Sequence, residues 1–154
     1  MSEAAKVLIV DGRFYEDISD ELCKGAMAVL DEAGMEYERL AVPGAFEIPQ
    51  AIRFAIRSME LGSAMRQYTG FIGFGCVIRG ETSHYDYVCQ ESSRALMDIV
   101  MQYSVALGYG IITVENRDQA WERADITKKN KGGDVAQACL RMMEVKKHFR
   151  LVPR

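Results

Sequence analysis

Four short runs of apolar, β-branched and aromatic residues punctuate the chain, at residues 7–10, 37–42, 70–78 and 106–114. Each is followed by a longer stretch in which apolar residues recur at helical spacing. In the first such stretch Ile18, Leu22, Met27, Leu30 and Ala33 share one stripe, and Gly34 stands where a helix ends on a left-handed glycine. Similar stripes predict helices over residues 52–59 and 88–100. A short helix is predicted over residues 117–124, with Asn116 as its N-cap, and a last one over residues 134–148, carrying Val135, Cys139, Met142 and Val145. The 9 methionines are read as core filler.

Strands that alternate with helices and read as continuous apolar runs call for a parallel sheet covered on both faces, joined by right-handed crossovers. The expected fold class is therefore α/β: a flavodoxin-like three-layer α/β/α sandwich with a four-stranded parallel sheet. In the common strand order 2-1-3-4, the switch point lies between strands one and three, and ligands bind outside the carboxyl ends of the strands. That order brings together residues 11–15, 43–49 and 76–84, the loops after strands one, two and three.

At 154 residues, 49% of them apolar, the chain is the size of one domain with a real core, expected over residues 1–150. Residues 151–154 (LVPR) resemble the remnant of a cleaved thrombin-site tag and are set aside from the fold. A formal charge of -3, with Lys and Arg scattered among Asp and Glu, offers no basic face, so nucleic acid is not an expected partner. No apolar run reaches membrane-span length and no signal-peptide pattern opens the chain, which predicts a cytoplasmic protein without a membrane partner. Cys23, Cys76, Cys89 and Cys139 are far apart, with no C-x-x-C pair, and read as free thiols.

Several familiar motifs start and then fail. Residues 7–11 (VLIVD) open like a phosphoacceptor receiver domain, but Cys76-Val77-Ile78 ends strand three where an aspartate is needed. Gly73-Phe74-Gly75 begins like a dinucleotide fingerprint, yet Ile78 occupies the place of its third glycine. The 2 histidines and the scattered carboxylates have no zinc-ligand spacing, so a metal is not expected.

What remains lies in the three loops. Gly80-Glu81-Thr82, between a strand and a helix, offers backbone N–H groups, a hydroxyl and the positive end of a helix dipole, a generic anion cradle. The plainer alternative is a turn at Gly80 with Thr82 or Ser83 capping the next helix. His84 follows directly, and an imidazole suits proton transfer near neutrality. Pro43 and Pro49 confine Glu47 beside Phe46, either as a fixed hydrogen-bond acceptor or as a first-turn glutamate. Phe14 and Tyr15 can stack on a planar ring or simply pack. Arg123 can pair with phosphate or serve a solvated helix face.

Taken together, residues 42–49 (VPGAFEIP), 75–88 (GCVIRGETSHYDYV), 113–124 (TVENRDQAWERA) and 130–132 (NKG) closely resemble the 6,7-dimethyl-8-ribityllumazine synthase family of riboflavin biosynthesis. The resemblance runs from Val7 to about Met143. It implies condensation of 5-amino-6-(D-ribitylamino)uracil with 3,4-dihydroxy-2-butanone 4-phosphate, releasing phosphate and water, with no cofactor. It further implies that Phe14 stacks on the pyrimidine, that Ala45, Phe46, Glu47, Cys76, Val77 and Ile78 line the pyrimidine and ribityl pocket, and that Glu47 binds the ribityl chain. Glu81, Thr82 and Arg123 would hold phosphate, and His84 would shuttle protons. Tyr109, Arg123 and Lys131 would come from a neighbouring subunit, which makes a homo-oligomer the expected partner. A pentamer is favoured over a decamer or a sixty-subunit shell.

Three positions depart from the family pattern. Tyr15 replaces an asparagine, Tyr109 replaces a phenylalanine, and residues 125–129 (DITKK) replace the glycine-rich linker associated with shells. Two other classes stay in view: a flavin- or lumazine-binding protein with weak or no catalysis, and a structural shell or antigenic scaffold.

Overall fold

A computed structural model describes residues 6–63 and 67–151, so Val152, Pro153 and Arg154 of the tag-like tail lie outside the described residues. Strands β1 (Lys6–Gly12), β2 (Glu36–Val42), β3 (Gly70–Ile78) and β4 (Leu107–Val114) form one parallel sheet in the order β2-β1-β3-β4. Helices α1 (Glu16–Glu32), α4 (Arg117–Ala124) and α5 (Lys131–His148) cover one face, and α2 (Ile48–Glu60) and α3 (His84–Tyr103) cover the other. This is the flavodoxin-like three-layer sandwich that the alternating pattern predicts.

Strand periodicity divides the core in two. Val7 and Ile9 of β1 join Ile18, Leu22, Leu30 and Cys139 under α1 and α5, whereas Leu8 and Val10 join Ile48, Ile52 and Leu96 under α2 and α3. The central strand β3 is buried along nearly its whole length, as a parallel strand covered on both faces must be. Edge strand β2 differs from the expected continuous apolar run. It carries Glu36, Glu38 and Arg39, and its side chains are exposed or half-buried, because only one neighbour and part of α1 shield it.

Helix ends follow local chemistry. Gly34 takes φ +68° just past α1, and the Asn116 side chain accepts the Gln119 N–H at the start of α4. Helix α5 begins three residues before its sequence-predicted start, because Asn130, in the left-handed region, accepts the Gly133 N–H and lets Gly132 and Gly133 join the first turn. Those glycines permit a close approach: a Cβ on Gly132 would stand 1.9 Å from the Leu22 carbonyl oxygen of α1. The methionines divide between core and surface. Met27, Met35 and Met143 pack against the first core, but Met97, Met101 and Met142 are exposed, because no element among the described residues covers those helix faces.

Among the described residues, one charged side chain is wholly buried. The Asp11 carboxylate accepts from Ser19 Oγ at 2.8 Å, from Arg39 at 3.2 and 2.9 Å and from Arg13 at 3.3 Å. Both guanidinium groups also donate to Asp20 Oδ1, at 2.6 and 2.7 Å. Two arginines thus balance two aspartates, which is what permits a carboxylate to sit at no exposure; an unpaired ion there would cost several kcal/mol.

Hydrogen bonds from Arg13 and then Arg39 hold the Asp20 carboxyl down at about 2, against an ordinary value of 3.8. A depressed carboxyl contributes stability above its unfolded-state value and loses it as pH falls through the folded one. The urea midpoint is therefore expected to drop between about pH 4 and about pH 2, with Asp20→Asn flattening that part of the curve. Denaturation series at stepped pH on both proteins check this.

Candidate active site

Reversal of the chain's winding between β1 and β3 leaves their carboxyl ends open, and a cleft of about 480 Å³ lies there. Phe14 and Tyr15 enter from the β1–α1 loop, Gly44 to Glu47 from the turn after β2, Cys76 to Ile78 from the end of β3, and His84 and Val88 from the start of α3. The two loops that face each other are pinned together by backbone. Arg13 N donates to Val42 O at 2.9 Å, and a Cβ on Gly12 would meet the Gly44 carbonyl carbon at 2.6 Å. Any side chain at residue 12 would push these walls apart.

The walls differ in character. Phe14 and Phe46 are 75% and 54% exposed, an unusual display of aromatic surface at a cleft mouth. Tyr15 touches Phe14 edge-on, with centroids 4.9 Å apart. Ala45 and Cys76 form a buried floor. Burial pushes the Cys76 thiol up to about 12, so it stays protonated and serves as apolar lining, not as a thiolate nucleophile. Burial also raises the Tyr15 phenol.

Glu47 closes the short 3-10 turn Ala45–Glu47 at the N-terminus of α2, half-buried on the cleft wall, with Pro49 fixing the first turn of the helix. Both readings of this residue, first-turn glutamate and fixed acceptor, are compatible with that one position. In the β3–α3 loop, Thr82 Oγ1 accepts the His84 N–H at 3.3 Å, while Ser83, at the N-cap position, makes no side-chain cap bond. Glu81 and Thr82 are exposed beside the N-terminus of α3. The loop is tied down by Arg79, which bonds Glu115 at 2.9 Å, lies 3.6 Å from Asp86 and stacks over the Tyr85 ring at 4.3 Å.

The three remaining candidate residues lie elsewhere. Arg123 and Lys131 line a second cleft, of about 490 Å³, with Ile111 to Thr113 of edge strand β4, Lys129 and Asp134. Arg123 is half-buried and donates to Gln119 O at 3.0 Å. Tyr109 projects from β4 and lines neither cleft; burial raises its phenol, and Ser93 is its hydrogen-bonding neighbour. Within one copy, then, the aromatic and histidine elements share a cleft, whereas the cations lie at the sheet's far edge.

Gly44 and Val88 also line the first cleft, although sequence reasoning did not select them; both fall inside the motifs quoted above. Asp11 and Arg39 were missed as a pair. The available signal was a lone acid ending an apolar strand and a lone arginine in the next one. Among the described residues, no group of three or more His, Cys, Asp or Glu side chains could hold a metal ion, and no helix is long and apolar enough to cross a membrane.

Residues 4–147 match the sequence profile of 6,7-dimethyl-8-ribityllumazine synthase. The chain belongs to that family. It is 47% identical to the 6,7-dimethyl-8-ribityllumazine synthase of Paramagnetospirillum magneticum, an alignment covering 96% of this chain and 98% of the relative. The Bartonella tribocorum synthase is 50% identical, over 97% and 95% of the two chains, and 6,7-dimethyl-8-ribityllumazine synthase 1 of Rhizobium meliloti is 51% identical, over 93% and 92%. Membership makes the chain an enzyme of the transferase class.

The pinned loops give a direct test. Gly12→Ala is expected to cost about 1–3 kcal/mol through overpacking against Gly44, seen as a lowered midpoint in thermal unfolding.

Proposed function

We propose that this protein condenses 5-amino-6-(D-ribitylamino)uracil with 3,4-dihydroxy-2-butanone 4-phosphate to 6,7-dimethyl-8-ribityllumazine, releasing phosphate and water, in cytoplasmic riboflavin biosynthesis. The observation that carries the proposal is the convergence of Phe14, Phe46, Glu47 and His84 on one cleft at the switch point. Phe14 supplies a stacking face for the pyrimidine, and Ala45, Phe46, Cys76, Val77 and Ile78 enclose the ring and ribityl chain. Glu47 accepts hydrogen bonds from the ribityl hydroxyls. Glu81 and Thr82, through backbone N–H groups and the threonine hydroxyl at the positive end of α3, receive the phosphate.

The chemistry needs two substrates in register, an anion sink and a proton carrier. The amine of the uracil adds to the butanone ketone, water leaves as the imine forms, phosphate is eliminated, and ring closure expels a second water. His84, at the first position of α3 and open to the cleft, gives and takes the protons these steps move. Holding the partners together supplies most of the rate. The buried, protonated Cys76 takes no covalent part.

Among the described residues no Arg or Lys lines this cleft within one copy, while Arg123 and Lys131 line the second cleft beside β4. We infer that a neighbouring copy supplies Arg123, Lys131 and Tyr109, which makes the protein a homo-oligomer whose smallest complete form is a ring, a pentamer being favoured. Exposed Phe54 on α2 and Met97 and Met101 on α3 support association, since such apolar groups gain from being covered. Decamers and sixty-subunit shells are larger assemblies of the same ring, and light scattering distinguishes all three.

Absorbance and fluorescence assays of lumazine formation test the reading. His84→Ala is expected to lower kcat about 100-fold with little change in KM for the butanone phosphate. Arg123→Ala is expected to raise that KM about tenfold or more, the worth of a charged hydrogen bond. Equal, small effects would remove the assigned roles. No acceleration over a protein-free control, with tight binding of lumazine or riboflavin, would make the protein a flavin- or lumazine-binding relative.

A further inference from the structure

The stacking role proposed for Phe14 raises the question of what holds its ring, and the inference below rests on that role. At 75% exposure Phe14 stands clear of the core, and among the described residues the ring against it is the edge of Tyr15 at 4.9 Å. Its placement is therefore set by the backbone at Arg13 and Phe14. Arg13 is fixed from both ends. Its N–H donates to Val42 O at 2.9 Å, and its guanidinium reaches Asp20 at 2.6 Å and the buried Asp11 at 3.3 Å. Arg39, from β2, forks onto Asp11 at 3.2 and 2.9 Å and reaches Asp20 at 2.7 Å, so one guanidinium ties β1, α1 and β2 together behind the loop.

Exposed ion pairs contribute little to stability, and Arg13–Asp20 taken alone would be one. Asp11 is different, because it is fully buried and water cannot replace the fork of Arg39. We propose that the Asp11–Arg13–Arg39–Asp20 network is a positioning device that pre-organises Phe14, with Arg39 its principal positioning residue, and that it sets the affinity for the ring-bearing substrate alone. A ring already in place spares the ordering cost that binding would otherwise carry. The butanone phosphate, held at the other side of the cleft by the β3–α3 loop, is indifferent to it.

The test is a double-mutant cycle between Arg39→Met and Phe14→Ala in the full chain, with KM measured separately for the two substrates. Arg39→Met is expected to raise KM for the aminouracil about tenfold, leaving kcat and KM for the butanone phosphate within about twofold; in the Phe14→Ala background it should add nothing further. Arg39→Lys, which keeps the charge but loses the fork, should recover part of the loss. If Arg39→Met does not fold, Asp20→Asn enters the same cycle with an expected rise of about threefold, since it spares every partner of Asp11. Parallel rises in both KM values, additivity with Phe14→Ala, or a lowered unfolding temperature with unchanged kinetics would each overturn the inference while leaving the synthase reading intact. A wild-type protein that forms no lumazine would overturn both.

Discussion

Strand β1 sits between β2 and β3, and the chain leaves it in opposite directions along the sheet. Every feature of the cleft depends on that reversal. Crossovers to the two sides place α1 on one face and α2 on the other, so the loops ending β1 and β3 part above the sheet, while the turn after β2, bonded to the β1 loop through Val42, brings Ala45 to Glu47 to the same opening. A cleft of this origin needs only a floor and two walls that do not collapse. Buried Ala45 and Cys76 make the floor, and the backbone contact of Gly12 with Gly44 fixes the spacing of the walls.

Much of this was readable from the chain, for physical reasons particular to each element. Residues 70–78 announce a central strand because burial on both faces removes the need for alternation, and Asn116 marks the start of α4 because its side chain can take an otherwise orphaned N–H. Edge strand β2 was harder, since half its side chains answer to solvent and to Asp11, not to a core. The start of α5 was hidden by Gly132 and Gly133. Helix propensity counts against both, yet contact with the Leu22 carbonyl of α1 requires the first. That Met97 and Met101 would face outward could not follow from spacing alone, because their stripe on α3 looks the same whether another element or another copy covers it.

The candidate site divides along the same line. Short-range motifs identified Phe14, Glu47 and His84, whose convergence needs only the strand order. The Asp11–Arg39 pair escaped because its members are 28 positions apart and acquire meaning only when β1 and β2 align in register. Its neutral set of two acids and two bases explains how a carboxylate is tolerated at the end of a buried strand. Arg123 and Lys131 stand across the sheet from the cleft they are proposed to complete, and that separation gives the functional reading its strongest demand: the working site must be assembled from two copies.

Mixing two impaired proteins, assayed with the butanone phosphate well below its KM so that both variants are slow, tests that demand most directly. His84→Ala and Arg123→Ala subunits, unfolded together and refolded, would form rings in which some clefts take an intact His84 from one copy and an intact Arg123 from the next. With random assortment at equal amounts, about a quarter of the clefts are complete, and lumazine formation should recover to about that fraction of the wild-type rate. A mixture no more active than its separately refolded parents would contradict a site shared between copies.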